Sequence, residues 1–350
     1  MRVAVWKQAL RTHGCAGIIT LTILLGPGWL TAGKAVEPLG VPNPERIEYP
    51  DDIPSSAAEI NLGKVLFFDQ RLSGNNHYSC ASCHNPDLGF GDGLATGMGT
   101  LGNALGRNTP HLYNLAWNSV FFWDGRATSL EEQALGPIAA PGEMNMPLDQ
   151  LIPKLRNVPF YVRAFATVYP DSGLTIENVA RAIAAFERTL ISMNSPFDRY
   201  QQGDRDALSP AAIRGLQLFT GKANCIVCHS GPNFTDESFH NIGIGGQDPG
   251  RAEVIKDTSL WGAFKTPGLR NTALTAPYMH DGSLPSLEAV VRFYNMGRQH
   301  SKAVSELIKP LQLSEREIFD LVAFLGALTD PLVIVKPSMP SAKTRSARKE

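Results

Sequence analysis

The chain has 350 residues, 43% hydrophobic and 19% charged, which supplies enough apolar side chain for a buried core and excludes wholesale disorder. Its 32 basic and 33 acidic residues nearly cancel, so there is no global basic field of the kind that captures nucleic acid. No apolar run after residue 40 reaches membrane-spanning length, which excludes a polytopic membrane protein.

Residues 1–35 hold Arg2, Lys7, Arg11 and Lys34 and no acid, followed from Gly17 to Leu30 by an apolar stretch broken at Gly26, Pro27 and Gly28. A basic start, a short apolar centre and small residues near Ala32 to Ala35 describe a secretory signal, with cleavage expected after Ala35. A retained anchor needs a longer unbroken segment than this. Cys15 leaves with the leader and sits in no lipobox-like setting. The mature chain is mildly acidic and is expected in the periplasm.

In chain order, a first helix starts near Ser55 and carries Gly63-Lys64-Val65-Leu66-Phe67. A second spans Thr175 to Ser192, because Ile176, Val179, Ile183, Phe186 and Leu190 recur at 3–4 spacing and build one apolar stripe. Ser209 caps a third, with Pro210 in its first turn, and this helix repeats the earlier pattern as Gly215-Leu216-Gln217-Leu218-Phe219. A fourth begins at Ser314 with Glu317 three residues on, a capping box, and turns Ile318, Leu321, Val322 and Leu325 to a core. Gly/Pro-rich connections from Gly89 to Gly106 and from Gly231 to Gly250 separate the helices. Strand-like alternation is scarce. The tail from Pro331, rich in Pro, Ser and basic residues, is expected to be loose.

After the leader, every cysteine lies in one of two boxes, Cys80-Ala81-Ser82-Cys83-His84 and Cys225-Ile226-Val227-Cys228-His229. C-x-x-C-H is the attachment pattern of c-type haem. Two thiols on one turn reach both vinyl groups of a porphyrin, and the adjacent histidine swings beneath the ring to give iron its proximal nitrogen. A four-cysteine zinc ribbon would set its knuckles about 15–20 residues apart and needs no histidine after each pair. The boxes, each preceded by a similar helix, mark an internal duplication. The expected architecture is mostly α, with two cytochrome c-like haem domains and long Gly/Pro-rich loops: a signal over 1–35, a first domain over 36–205, a second over 206–331 and a tail over 332–350.

Each haem has more chain around it than a pure carrier needs, about 100 residues, which suggests a built pocket. The runs Phe122-Trp123-Asp124-Gly125-Arg126, Leu130-Glu131-Glu132-Gln133-Ala134 and Glu143-Met144, with Leu274-Thr275-Ala276-Pro277-Tyr278-Met279-His280-Asp281-Gly282 and Phe293-Tyr294-Asn295, occur in order around the boxes. Together they resemble the bacterial dihaem cytochrome c peroxidase and MauG family over nearly the whole mature chain. The resemblance implies that peroxide reacts at the first haem, on His84, and that the second, on His229, stores or relays electrons. It places Trp123 between the haems, puts Gln133 and Glu143 in the peroxide pocket, and implies calcium between the domains on the Asn108 side chain and the Thr275 and Pro277 carbonyls. On their own, Glu143 reads rather as a solvated loop carboxylate, Trp123 as a core aromatic and Asn108 as a turn residue, and it is the motif that moves each toward function.

Three departures within the resemblance matter. Family peroxidases place a displaceable histidine about 16 residues past the first box; here Met98, Gly99 and Thr100 stand there, and the first haem is expected to be open. The axial methionine expected on the helix after H-D-G is replaced by Tyr294, as in MauG, with Met279 and Met296 as alternative ligands. A tryptophan two residues before the second box of MauG is Ala223 here. His280 either bonds a propionate or holds the turn, and His77, His111, His240 and His300 read as surface or structural residues. The expected function is a periplasmic dihaem peroxidase acting on hydrogen peroxide, with electrons from a small cytochrome c or cupredoxin. The alternatives are a MauG-like oxidase that matures a protein-derived quinone cofactor in methylamine utilization, acting on a protein substrate, and a dihaem electron carrier without chemistry of its own.

Overall fold

A computed structural model describes residues 36–297 and 304–341; the expected leader, His300 and the end of the tail lie outside them. The longer helices among these residues are α1 (Ala57–Phe67), α2 (Leu130–Ala139), α3 (Leu148–Arg156), α4 (Pro159–Val168), α5 (Ile176–Glu187), α6 (Pro210–Thr220), α7 (Leu287–Met296) and α8 (Glu315–Gly326). Among the described residues strand is confined to one antiparallel pair, β1 (Phe239–His240) and β2 (Phe264–Lys265), and the fold is mostly α. No helix among the described residues is long and apolar enough to cross a membrane.

Capping fixes where the helices begin. Ser56 Oγ accepts from Glu59 N at the head of α1, Ser209 Oγ accepts from Ala212 N with Pro210 in the first turn of α6, and Ser314 and Glu317 form a reciprocal box on α8. The stripe helix ends sooner than its apolar spacing predicts. Arg188 caps α5, and Leu190 is buried beyond the helix because Asn114 takes over the local backbone: Asn114 N donates to Leu190 O at 2.9 Å and Ser192 N donates to Asn114 Oδ1 at 2.6 Å.

Two helix crossings carry the two haem-box regions, and both depend on the glycine of the repeated G-x-x-x-F pattern. A Cβ on Gly63 of α1 would stand 1.6 Å from the Ala182 carbonyl oxygen of α5, and one on Gly215 of α6 would stand 2.0 Å from the Asp320 carbonyl oxygen of α8. Without side chains there, the backbones approach closely enough for the phenylalanine one turn on to meet its counterpart edge-on. Phe67 and Phe186 lie 5.1 Å apart, Phe219 and Phe324 5.2 Å apart, both at an interplanar angle of 61°.

The duplication extends further than the boxes and their helices. Thr109-Pro110-His111-Leu112-Tyr113-Asn114 returns as Thr266-Pro267-Gly268-Leu269-Arg270-Asn271, and His111 and Gly268, 157 residues apart, touch through His111 Nε2 and the Gly268 carbonyl at 3.2 Å. Asn271 repeats the work of Asn114: both are left-handed, Asn271 N donates to Leu328 O at 3.0 Å, and Asp330 N donates to Asn271 Oδ1 at 2.6 Å. Part of the segment expected to be loose, over 332–341, touches the first half. Leu332 and Ile334 pack against the cluster of Phe67, Phe68 and Phe90, and an Arg71 guanidinium nitrogen donates to Pro340 O at 3.0 Å, while Val333 and Val335 between and after them are exposed.

Candidate functional site

A cavity of about 780 Å³ is lined by both boxes and by residues from each repeat. The first box forms a short helix, Cys80–Cys83, and the second a 3₁₀ turn, Cys225–Val227; in each, the histidine N donates to the first cysteine's carbonyl, at 2.8 and 2.9 Å. That turn sets both thiols and the imidazole on one side. All four cysteines are free, and among the described residues no metal-sized cluster brings them together, so a four-cysteine zinc ribbon does not fit; the one such cluster there joins Cys228 to Asp236 and His240.

The histidines are held for one task. His84 Nδ1 is 3.0 Å from Phe90 O and His229 Nδ1 is 2.9 Å from Phe234 O, so each Nδ1 carries the proton and each Nε2 keeps its lone pair for a metal. Phe90 and Phe234 are both left-handed, at φ 61° and 57°, an uncommon conformation for a bulky residue that here aims the carbonyl at the ring. Burial holds both imidazoles below their ordinary pKa, against the raising effect of Phe90 and Pro110 carbonyls at one and Phe234 and Pro267 carbonyls at the other. These residues therefore fit two covalently held haems.

The 157-residue offset carries on through the walls of the cavity. Phe122 and Met279 are left-handed at equivalent turns, Gly125 and Gly282 follow them with positive φ, and Ser129 and Ser286 cap α2 and α7. Trp123 thereby pairs with His280, and their rings meet edge to face at 6.5 Å. Tyr294 of α7 pairs with Pro137 of α2. Both face the cavity, but a proline has no atom to offer iron, whereas a phenol does. Sequence reasoning did not single out Pro137; aligning the Thr109-Pro110 and Thr266-Pro267 repeats, 157 residues apart, would have paired it with Tyr294.

Gln133 lies one turn before Pro137 on α2, and Glu143 follows the end of that helix; both line the same cavity. Burial raises the Glu143 carboxyl pKa, and the Arg126 guanidinium opposes the shift. Arg126 is anchored by Asp124 at 2.9 Å and lies 3.5 Å over the Phe122 ring. Trp123 is fixed at both ends: its Nε1 donates to Asn108 O at 2.9 Å, and its carbonyl accepts from Lys265 N at 2.8 Å. Around the second box, burial with the Cys225 and Cys228 thiols pushes the Tyr294 phenol up. Met279 also faces the cavity, while Met296 is 59% exposed and lies outside its lining.

Asn108, Thr275 and Pro277 line the cavity where the halves meet. Asn108 N donates to His280 O at 2.7 Å, and its Nδ2 donates to the Leu94 and Ala95 carbonyls at 3.0 and 3.2 Å. His280 is buried and stacked on Phe264, with ring centroids 3.7 Å apart. Of the other histidines, His77 is exposed, His111 is locked between Tyr113 N and Gly268 O, and His240 lies in the cavity wall.

Two haem-binding boxes around one lined cavity define a dihaem c-type protein. The profile of the di-haem cytochrome c peroxidase family matches residues 57–206. The chain is 44% identical to the methylamine utilization protein MauG of Methylorubrum extorquens, over 93% of this chain and 95% of that protein. It is 39% identical to a cytochrome c peroxidase of a Pseudomonas species over 84% of this chain and 87% of that one. A solved MauG-like protein associated with microbial copper homeostasis superimposes with a TM-score of 0.76 at 32% identity, over 87% of this chain and 96% of that one. The chain belongs to the dihaem cytochrome c peroxidase and MauG family. It is thus an oxidoreductase of the dihaem peroxidase type, and the family implies two c-type haems, one for each box.

Proposed function

We propose that the protein is a periplasmic dihaem peroxidase that reduces hydrogen peroxide at the first box and takes its electrons through the second. The observation that carries this reading is the exchange of Tyr294 for Pro137 at equivalent places in the cavity wall: Tyr294 would offer a haem held by the second box a phenol oxygen, and Pro137 would offer one held by the first box no ligand atom. Bound haem would supply the iron that binds peroxide and exchanges electrons. Cys80, Cys83 and His84 would hold the first, and Cys225, Cys228, His229 and Tyr294 the second.

The residues at the open side supply proton handling. Splitting peroxide into two waters needs a proton moved from one oxygen to the other, and a carboxyl whose pKa burial has raised is suited to that transfer. Glu143 carries the proton, and the Gln133 amide orients the peroxide by hydrogen bonding. Trp123, held at both ends, lies along the route between the halves. Two electrons and two protons complete each turnover, the electrons coming from a small cytochrome c or cupredoxin.

A second reading, MauG-like oxidation of a protein substrate, is favoured by Tyr294, because an anionic oxygen stabilises oxidised iron better than a thioether does. Ala223, buried where MauG has a tryptophan, argues against an identical exit route. We also assign calcium to the Asn108 side chain with the Thr275 and Pro277 carbonyls. The all-oxygen donor set fits a hard cation, and its lack of carboxylates leaves water to fill the remaining positions.

Rapid mixing with hydrogen peroxide tests the assignment without a known reductant. Glu143→Gln should retain both haems and their resting spectra yet oxidise about 10²–10⁴-fold more slowly. A folded variant reacting at the parent rate removes Glu143 from the chemistry. Steady-state assays with cytochromes, cupredoxins and quinoprotein precursors then separate the two readings.

A further inference from the structure

The 157-residue offset maps the residues assigned to calcium onto a second set across the halves. Asn108 maps to Lys265, Thr275 to Asn118 and Pro277 to Val120. The mapping holds in the backbone: Asn108 N donates to His280 O at 2.7 Å, and Lys265 N donates to Trp123 O at 2.8 Å, His280 and Trp123 being counterparts themselves. Thr275 and Asn118 each cap a 3₁₀ turn, Thr272–Leu274 and Leu115–Trp117, that follows a left-handed asparagine. Asp92 and Asp236 each accept from the N–H two residues on, at 2.9 Å.

What fills the second set differs from the first. Lys265 is largely buried, and its ammonium has Glu237 Oε1 at 3.9 Å. In the loops just after the boxes, where Phe90 matches Phe234 and Asp92 matches Asp236 at an offset of 144, Glu237 stands in the place of Gly93, and both residues are left-handed. Its Oε2 accepts from Ser119 N and Ser119 Oγ, both at 2.9 Å, between Asn118 and Val120, while its buried Oε1 has no hydrogen-bond partner. A carboxylate oxygen thus waits beside a fixed positive charge, in the place equivalent to the one read as an ion site. Lys265, Asn118 and Val120 line the same cavity.

We propose that Lys265 is a tethered cation that does in the second half what calcium does in the first, pairing with Glu237 to hold the turn that carries Trp123. The two halves would then be seamed once by an exchangeable ion and once by an ammonium that chelators cannot remove. Lys265 is a positioning residue, acting on Trp123 through its own backbone N–H and through the Glu237–Ser119 contact. The equivalence rests on the calcium reading; the Lys265–Glu237 pairing does not.

The test uses the intact holoprotein, with calcium per chain measured by equilibrium dialysis and melting followed by haem absorbance, in calcium and in EDTA. The parent should bind one ion. Lys265→Met should melt about 5 °C lower in both buffers, since it strands Glu237, and Lys265→Arg should restore the midpoint. Lys265→Asn recreates an amide beside a carboxylate, so it should bind one ion more than the parent and regain its midpoint only when calcium is added. A Lys265→Met protein that melts like its parent in EDTA overturns the pairing. An unchanged ion count in Lys265→Asn overturns the equivalence. A parent that binds no calcium sinks the Asn108 reading instead, and leaves the Lys265→Met comparison in EDTA to decide the pairing.

Discussion

The first and second haem-box regions share a scaffold and differ at a few decisive positions. Each has a glycine where two helices cross, a phenylalanine one turn later, a left-handed phenylalanine whose carbonyl orients the box histidine, and a left-handed asparagine tying a loop to the chain beyond its helix. Against that common frame stand Pro137 and Tyr294, Asn108 and Lys265, Trp123 and His280, and Glu187 and Leu325. The shared residues are those that packing and covalent attachment require. The divergent ones all touch the cavity, where a single side chain changes ligation, charge or proton supply. Duplication repeats the cofactor-holding frame, and divergence gives its two copies different cavity linings.

Removing an attachment cysteine should break the comparison most completely. Cys83→Ala and Cys228→Ala should each lose secure covalent attachment of one haem and leave the other half intact, because the two boxes sit on separate helix crossings. Mass measurement of the denatured protein gives the haem count directly. Loss of both haems from either variant would show that the halves do not load independently.

Next in size is the effect of making the second site resemble the first. Tyr294→Phe removes the only polar atom on that side chain, so the second haem should change from six-coordinate, low-spin ferric iron to a high-spin form, visible in electron paramagnetic resonance. The first haem should keep its resting high-spin signal, since Pro137 offers no ligand. An unaltered low-spin signal would transfer the ligand role to Met279, the other candidate that faces the cavity.

Much of the shared scaffold is legible in the sequence alone. The boxes declared attachment, the Ser and Ser-Pro caps declared three helix starts within about two residues, and G-x-x-x-F declared the duplication. What stayed hidden was set by tertiary contacts. The end of α5 is decided by Asn114, more than 70 residues earlier in the chain, so no local propensity announces it. The role of Pro137 exists only by reference to Tyr294. The carbonyls of Phe90 and Phe234 carry no sequence signature, because any residue has a carbonyl and the left-handed conformation that aims these two is not what phenylalanine favours. The tail was read from composition, while two apolar residues in it, Leu332 and Ile334, pack against the first half.

The smallest expected effect concerns Glu187, which lies in the cavity wall where the second half has Leu325. The carboxyl is 4% exposed, and its Oε2 has no hydrogen-bond partner. Burial pushes its pKa up to about 8, with Arg188 opposing and Glu131 adding to the rise. A carboxyl that stays protonated in the folded chain but ionises near 4.5 when unfolded makes the folded state bind the extra proton between those values. Its contribution to stability is therefore complete below pH 4.5 and declines as pH rises towards 8, by at most about 1.4 kcal/mol per pH unit. Glu187→Gln keeps the shape without the titration, so denaturant midpoints of variant and parent should agree best at pH 5 and diverge in the variant's favour by pH 8. Glu187→Leu, which copies the second half, should show the same flattening. Parallel midpoints for parent and both variants from pH 5 to 9 would mean that the carboxyl is ionised in the folded chain, with Arg188 rather than burial controlling its charge.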